Sequence, residues 1–174
     1  MSAAIDIQQC SRCKSDAVIY QAYSGQHLCG KPLHSSIRKK TSKELRNQLN
    51  LPKNAIKEDG NRYKILVAIS GGKDSAVLLS MIADILGKRR DIEIIAGCVD
   101  EGIDGYRSPS LKCARDLAND LNIKLETVSY EEMDYERMDE VVSRIPVIGS
   151  LHQEANGMMP CSFCGVFRRQ SLNF

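Results

Sequence analysis

Hydrophobic positions along the chain change period twice. From Tyr63 onward, short apolar runs alternate with amphipathic stretches. The run Lys64–Ile69 reads as a strand and is followed by a helical pattern from Asp74 to about Leu86. A second apolar run, Ile92–Val99, precedes a helix from about Ser108 to Leu121, and a third strand spans Ile123–Ser129. Strands that are almost wholly apolar and alternate with helices predict an α/β fold, a parallel sheet with helices on both faces. Upstream the pattern is different. Residues 1–36 hold two short strands around the turn-forming Ser24-Gly25, and residues 37–62 form a basic helical connector stopped near Pro52. The expected organisation is therefore a cysteine-rich module (1–36), a connector (37–62) and a catalytic domain (63–174). No internal repeat or low-complexity segment interrupts it.

Composition narrows the class. A chain of 174 residues can bury one good core with a small appended module. Its net charge is only +2, and no run of eighteen apolar residues offers a membrane span. The N-terminal MSAAIDIQQC lacks the basic-then-apolar pattern of a secretory signal, so a cytoplasmic location is expected. In such a chain seven cysteines argue for metal or redox chemistry over disulfides. Four of them form two Cys-x-x-Cys pairs, Cys10/Cys13 and Cys161/Cys164.

The segment Ser70-Gly71-Gly72-Lys73-Asp74-Ser75 sits where the first strand of the sheet gives way to a helix. It fits neither common glycine fingerprint. A Walker A loop needs glycine at position 67 and Ser or Thr after Gly72-Lys73, whereas this chain has Val67 and Asp74. A dinucleotide loop needs G-x-G-x-x-G. What remains is an anion cradle, in which two adjacent glycines bare backbone N–H groups and the helix N-terminus adds its positive end. Ser70 and Ser75 can add hydroxyl donors. Asp74 would meet Mg2+ or cap the helix. An ordinary capped glycine turn accounts for one glycine and one cap, but not for all five residues together.

This hexapeptide resembles the PP-loop of the ATP pyrophosphatase superfamily. The resemblance implies cleavage of ATP between its α and β phosphates, with AMP passing to a carbonyl oxygen. The implied nucleotide site comprises Ala68, Ser70, Gly71, Gly72, Lys73, Asp74, Ser75 and Val99. Two further segments narrow the branch. "MMPCSFCGVFRRQSLNF" resembles the P-C-x-x-C-G…R-R segment of tRNA thiolation enzymes, and "VDEGIDGYR", residues 99–107, resembles the segment after their second strand. With the N-terminal finger, the chain looks like the tRNA 2-thiouridine synthetases of the TtuA–TtcA superfamily. The 2-thiocytidine enzymes share the internal pair but lack the finger.

The implied chemistry is coherent. The C2 oxygen of a uridine is a poor leaving group until adenylation activates it for attack by sulfur, and thiolates are soft ligands suited to holding that sulfur. By resemblance, Cys161 and Cys164 ligate a 4Fe-4S cluster, and the older alternative makes them a persulfide carrier and its resolving thiol. Asp74 and Arg168 complete the expected catalytic set, with Arg168 and Arg169 able to neutralise phosphate or the adenylated intermediate. The family's downstream third cysteine and its Gly-His-Asn-x-x-Asp-like segment do not occur within these residues, so the chain reads as a fragment. Cys98 and Cys113 read as core cysteines. The resemblance further implies tRNA, a sulfur donor or ubiquitin-like sulfur-carrier protein, and a homodimer as partners.

In the finger, Cys10, Cys13 and Cys29 with His34 supply four ligands for structural Zn2+, with His27 as rival to His34. Arg38, Lys39, Lys40, Lys43 and Arg46 on the basic helix are candidates for RNA phosphate contact, while Lys88, Arg89 and Arg90 read as a solvated loop. Two other classes compete. An amidating or lysidine-type adenylating enzyme would leave the internal cysteine pair unused, and a non-enzymatic zinc/iron–sulfur RNA-binding module would leave the glycine loop unused.

Overall fold

The apolar run at 92–99 makes a buried central strand, as the computed structural model, which describes residues 8–51, 56–105, 107–151 and 157–173, shows. The chain divides into two compact units, Met1–Lys53 and Asn54–Phe174. In the first, β1 (Ile19–Gln21) pairs antiparallel with β2 (Gln26–Leu28). The two strands are joined through Gly25, whose φ of +63° suits a residue without Cβ. The helix α1 (Gly30–Gln48) starts directly after Cys29. The expected boundary at residue 36 therefore falls inside a helix, and α1 belongs with the cysteine module instead of forming a separate connector. The expected stop near Pro52 lies outside the described residues.

In the second unit β3 (Tyr63–Ala68), β4 (Ile92–Asp100) and β5 (Lys124–Ser129) form a parallel sheet in that order. Register is set by apolar pairs such as Ile65 with Ile94 and Val67 with Ala96. The crossovers are α2 (Lys73–Leu86) and α3 (Arg107–Asp120). On α2 the buried positions Leu79, Ile82 and Leu86 recur at helical spacing, and full burial of Leu79 is worth about 2 kcal/mol. Ala114 and Ala118, four apart on α3, are buried without bulk, which suits close approach of this helix to β4.

Successive side chains of β4 point to opposite faces. Cys98 and Ala96 on one side and Val99 on the other are all buried, so both faces of this strand are covered, as expected. The Val99 side is closed by Tyr130, by Met138 and Val141 of α4 (Met138–Leu151), and by Phe163, Phe167 and Leu172 of α5 (Pro160–Asn173). Tyr130 is 1% exposed. Its ring meets Phe167 edge-on at 5.6 Å, and Tyr135 stacks on Phe167 at 4.7 Å. Pro160 takes the first position of α5, where its missing N–H costs nothing. Cys98 is a core cysteine as expected, but Cys113 is exposed on the outer side of α3. No described helix is long and apolar enough to cross a membrane.

Candidate functional site

Strand β3 delivers the glycine loop to the carboxyl edge of the sheet, where the Ile69 N–H donates to Gly97 O at 2.8 Å as the last rung before the turn. Gly71 then adopts φ +81°, and a Cβ built there would lie 2.2 Å from Ser110 O on α3. Gly71 is bare because α3 presses against it. Gly72 is the N-cap of α2, with φ −88° and no side-chain cap. Asp74 therefore does not cap the helix; it lies in the first turn, 3.8 Å from Lys73, and both side chains are almost fully exposed. The N-terminal N–H groups of α2 stay available for an anion. Ser75 braces the loop by donating to Gly72 O at 2.9 Å and accepting from Ser70 N at 3.2 Å. Its hydroxyl proton thus serves the turn, where sequence reasoning assigned it to a ligand.

Beside this loop lies a cavity of about 170 Å³ lined by Ala68, Ser70, Ser75, Val99, Glu101 and Arg168. Four of the expected nucleotide residues meet there with Glu101, two positions after Val99, and with Arg168 from far along the chain. A second cavity, of about 440 Å³, is lined by Ile103, Met138, Val142, Cys161, Cys164 and Arg168. Cys161 and Cys164 are one helical turn apart on α5, which places both on one side of the helix. Cys161 is exposed and Cys164 half-buried. Arg168, a further turn along, donates from Nη2 to Cys164 Sγ at 3.1 Å and contacts Glu101 Oε1 at 2.8 Å. The Tyr130 hydroxyl donates to Cys164 O at 3.0 Å. Burial and the neighbouring Cys164 push the Tyr130 phenol well above its ordinary value. Burial opposes the charge on Arg168, but Cys164 and Glu101 more than offset it and hold the guanidinium firmly cationic.

Glu101 and Tyr130 were missed as site residues. The signal for Glu101 was present in the VDEGIDGYR segment, but nothing in the sequence says that its carboxylate turns inward. At the ends of β4 and β5, a third cavity of about 370 Å³ is walled by Asp100, Gly102, Asp104, Ser129, Glu131 and Arg137. Arg137 crosses it to reach Asp104 at 2.5 Å.

In the first unit the Sγ atoms of Cys10, Cys13 and Cys29 all lie within 4.8 Å of one another. Tetrahedral Zn–S bonds of about 2.3 Å set sulfurs about 3.8 Å apart, so the triad fits three corners of a zinc site. Burial by itself would raise the Cys10 thiol, yet backbone N–H groups of Cys29, Arg12 and Cys13 bring it down to about 6. Cys29 is raised instead, chiefly by its bond with Cys13. His34 does not join the triad. Because α1 begins at Gly30, residue 34 rides more than a turn up the helix and is exposed. His27 stacks on Tyr20 at 4.7 Å and is not in the triad either. The basic residues of α1 are all exposed, and Lys40 bonds the Tyr23 hydroxyl at 2.8 Å. Arg89 pairs with Asp91 at 2.6 Å.

Comparisons with known proteins match these parts. Residues 9–31 fit the model of the 2-thiouridine synthetase TtuA N-terminal LIM domain, and residues 40–145 fit that of the PP-loop domain. The chain is 38% identical over 164 residues to the tRNA 2-thiolation protein NcsA of Haloferax volcanii, covering 94% of this chain and 48% of that protein. It is 33% identical over 168 residues to a probable sulfurtransferase of Methanocaldococcus jannaschii, covering 97% of this chain and 45% of the relative. The chain thus spans about half the length of these relatives. Among solved structures, the U34-tRNA thiolase NcsA from Methanococcus maripaludis with its 4Fe-4S cluster superposes with a TM-score of 0.70 at 28% identity. The alignment takes in 98% of this chain and 50% of that one. The glycine loop at the sheet edge, the cysteine-rich module and these matches together place the chain in the PP-loop family, among relatives of the tRNA 2-thiolation proteins.

Proposed function

We propose that this chain carries the ATP-binding and sulfur-handling centre of a tRNA 2-thiolation enzyme. The observation that carries this reading is the double position of Arg168. It lines the cavity beside the glycine loop and also the one that holds Cys161 and Cys164. An adenylating loop and a sulfur-holding pair must adjoin for the activated base and the sulfur to meet within reacting distance.

In the proposed reaction the uridine O2 attacks the α-phosphorus of ATP and pyrophosphate leaves. Sulfur at the sulfide level then adds to C2, the C2–O bond breaks, and AMP departs with the oxygen. The glycine loop and the open N-terminus of α2 bind the phosphates, and the exposed Asp74 supplies a hard oxygen donor for Mg2+. The cavity is smaller than the ~300 Å³ of a typical ligand pocket, so the rest of the nucleotide extends over exposed Gly72 and Lys73. Arg168 balances charge on the adenylated intermediate. Cys161 and Cys164 fit two ligand positions of a 4Fe-4S cluster, being soft donors one turn apart at a cavity wall. When bound, such a cluster supplies an iron without a protein ligand at which sulfur can be held.

Zn2+ in the Cys10/Cys13/Cys29 triad would keep the small module folded. The exposed cations of α1 supply phosphate contacts for tRNA. A sulfur donor is required by the stoichiometry, since the cysteines carry sulfur but do not generate it. The ubiquitin-like carrier and the homodimer rest on the family resemblance, and the cytoplasmic location on relatives such as the cytoplasmic tRNA 2-thiolation protein 1 of Drosophila pseudoobscura, 41% identical over 112 residues. Amidating and lysidine-type readings leave the Arg168–Cys164 contact without a role.

The test is nucleoside mass spectrometry of unmodified tRNA incubated anaerobically with ATP, sulfide and the iron-loaded protein at the full length of its tRNA 2-thiolation relatives. The expected result is 2-thiouridine formed together with AMP and pyrophosphate, lost in Cys161→Ser while ATP binding persists. ATP-dependent modification that survives Cys161→Ser and Cys164→Ser would overturn the reading.

A further inference from the structure

Glu101 is an unexpected residue to find beside a site for phosphates. It is 4% exposed and yet lines the cavity next to the glycine loop, where a carboxylate repels a polyanion. Burying it also strips its hydration, and an apolar residue of the same size would serve stability at least as well. Its backbone is held tightly. Met138 N donates to Glu101 O at 2.8 Å, Tyr130 N to Asp100 O at 2.9 Å, and Gly102 N to Asp100 Oδ1 at 3.0 Å. Arg168 is the opposite case, a long side chain 45% exposed on α5. A single nitrogen of that side chain, Nη2, reaches both Glu101 Oε1 at 2.8 Å and Cys164 Sγ at 3.1 Å. The fixed carboxylate thus determines where a mobile cation stands, and the place it determines is against the sulfur.

We propose that Glu101 is a positioning residue that anchors the Arg168 guanidinium between the nucleotide cavity and Cys164, so that Arg168 serves the sulfur-transfer step. This rests on the thiolation reading for its purpose, but the anchoring itself is a property of the chain. The ion pair with the carboxylate also keeps the cationic Arg168 beside the sulfur. Tyr130 secures the other side of the arrangement by bonding the Cys164 carbonyl. Arg168 therefore has one place to stand, set by charge on one side and by the turn of α5 on the other. Preorganisation of this kind, a rigid inner group orienting an outer one, is what positioned chemistry requires.

The first experiment uses the zinc-loaded protein without iron. Iodoacetamide labelling of Cys164 relative to Cys161 in the same molecule is followed by peptide mass spectrometry for the parent, Glu101→Gln, Arg168→Ala and the double variant. Arg168→Ala changes the ratio because it uncovers one sulfur and not the other. Glu101→Gln is expected to shift the ratio in the same direction by about 3-fold or more, and the double variant to shift it no further than Arg168→Ala alone. Additive shifts, or an unchanged ratio in Glu101→Gln, would show that Glu101 does not act through Arg168. If Glu101→Gln does not fold, Glu101→Asp keeps the charge and retracts it by one methylene, and it should move the ratio part of the way. A parental ratio in a folded Glu101→Asp would overturn the proposal.

The second experiment uses the iron-loaded protein at the full length of its tRNA 2-thiolation relatives, with tRNA, ATP and sulfide. Glu101→Gln should lower kcat by about 30-fold or more, in line with the cost of misplacing a reacting group by an ångström. The KM for ATP should not rise, because the glycine loop is untouched, and it should fall to the extent that the carboxylate no longer repels the phosphates. An undiminished kcat would sink the proposal while leaving the thiolation reading intact. A parent protein without thiolation would sink the reading and leave the labelling result to decide the anchoring.

Discussion

Replacing Gly71 by alanine should damage the fold, whereas the same change one residue later should leave it almost intact. Gly71 holds φ +81°, a conformation that costs an L-residue about 1–2 kcal/mol. Its new Cβ would meet Ser110 O at 2.2 Å, against 3.4 Å for ordinary contact. The loop and the first turns of α3 must separate by about 1.2 Å, and such overpacking costs about 1–3 kcal/mol. The total of about 2–5 kcal/mol is a large share of the 5–15 kcal/mol typical of a domain. For a unit of this size the melting temperature should fall by at least about 6 °C. Gly72 has an ordinary φ of −88°, and an added Cβ would meet only Ser70 Oγ at 3.4 Å. Gly72→Ala loses at most about 1 kcal/mol of N-cap preference. Differential scanning calorimetry of the two variants, with ATP titrations on Gly72→Ala, measures both effects. A Gly71→Ala protein melting within about 2 °C of the parent would refute the reasoning, since the close approach to α3 would then carry no cost.

Other changes have equally definite outcomes. On the proposed zinc site, zinc-loaded protein carrying Cys29→Ser should lose its zinc, as read by metal analysis, while the second unit keeps its melting transition; full zinc retention would remove Cys29 from the ligand set. Asp74→Ala should weaken the Mg2+ dependence of ATP binding in calorimetry without shifting the melting temperature, because the side chain is almost wholly exposed and makes no cap. Leu79→Ala, at a site with no exposure, should cost about 2–5 kcal/mol in chemical denaturation. The raised phenol of Tyr130 means that the folded state holds its proton more tightly than the unfolded chain does. Its contribution is therefore fully present below about pH 10 and is lost as pH rises beyond it. Tyr130→Phe should flatten the alkaline limb of the stability profile, and an unchanged slope would contradict the burial argument.

The central strand was legible in the sequence because β4 is buried on both faces and its apolar run allows no other placement, whereas β3 and β5 each keep several exposed positions. Ile92–Val99 and the helix after Asp74 were found to within a residue or so for this reason. The start of α1 was not, since the true N-cap, Cys29, makes no side-chain cap while Ser35 and Ser36 are good cap residues that favour a later start, and the misplaced start carried His34 into the metal set. The α4 segment escaped because Pro146 interrupts its pattern. The glycine loop was recognised from its hexapeptide, but Gly71 is also crowded by Ser110, 39 residues away, which no local pattern reveals. Glu101 and Tyr130 were invisible as site residues for a related reason. Their importance comes from α5 folding back over the ends of β4 and β5.

The same folding back gives the protein a built-in optical reporter. The chain has no tryptophan and six tyrosines, and two of these, Tyr130 and Tyr135, meet the Phe167 ring of α5. Aromatic pairs held at fixed angles generate near-ultraviolet circular dichroism, and without indole absorption the tyrosine band is unobscured. The phenol of Tyr130 also touches the carbonyl of Cys164, so anything that lifts the cysteine helix from the sheet changes the asymmetry around that ring. Metal loading or sulfur delivery that shifts α5 can thus be followed in the unlabelled protein, at the wavelength where tyrosine absorbs.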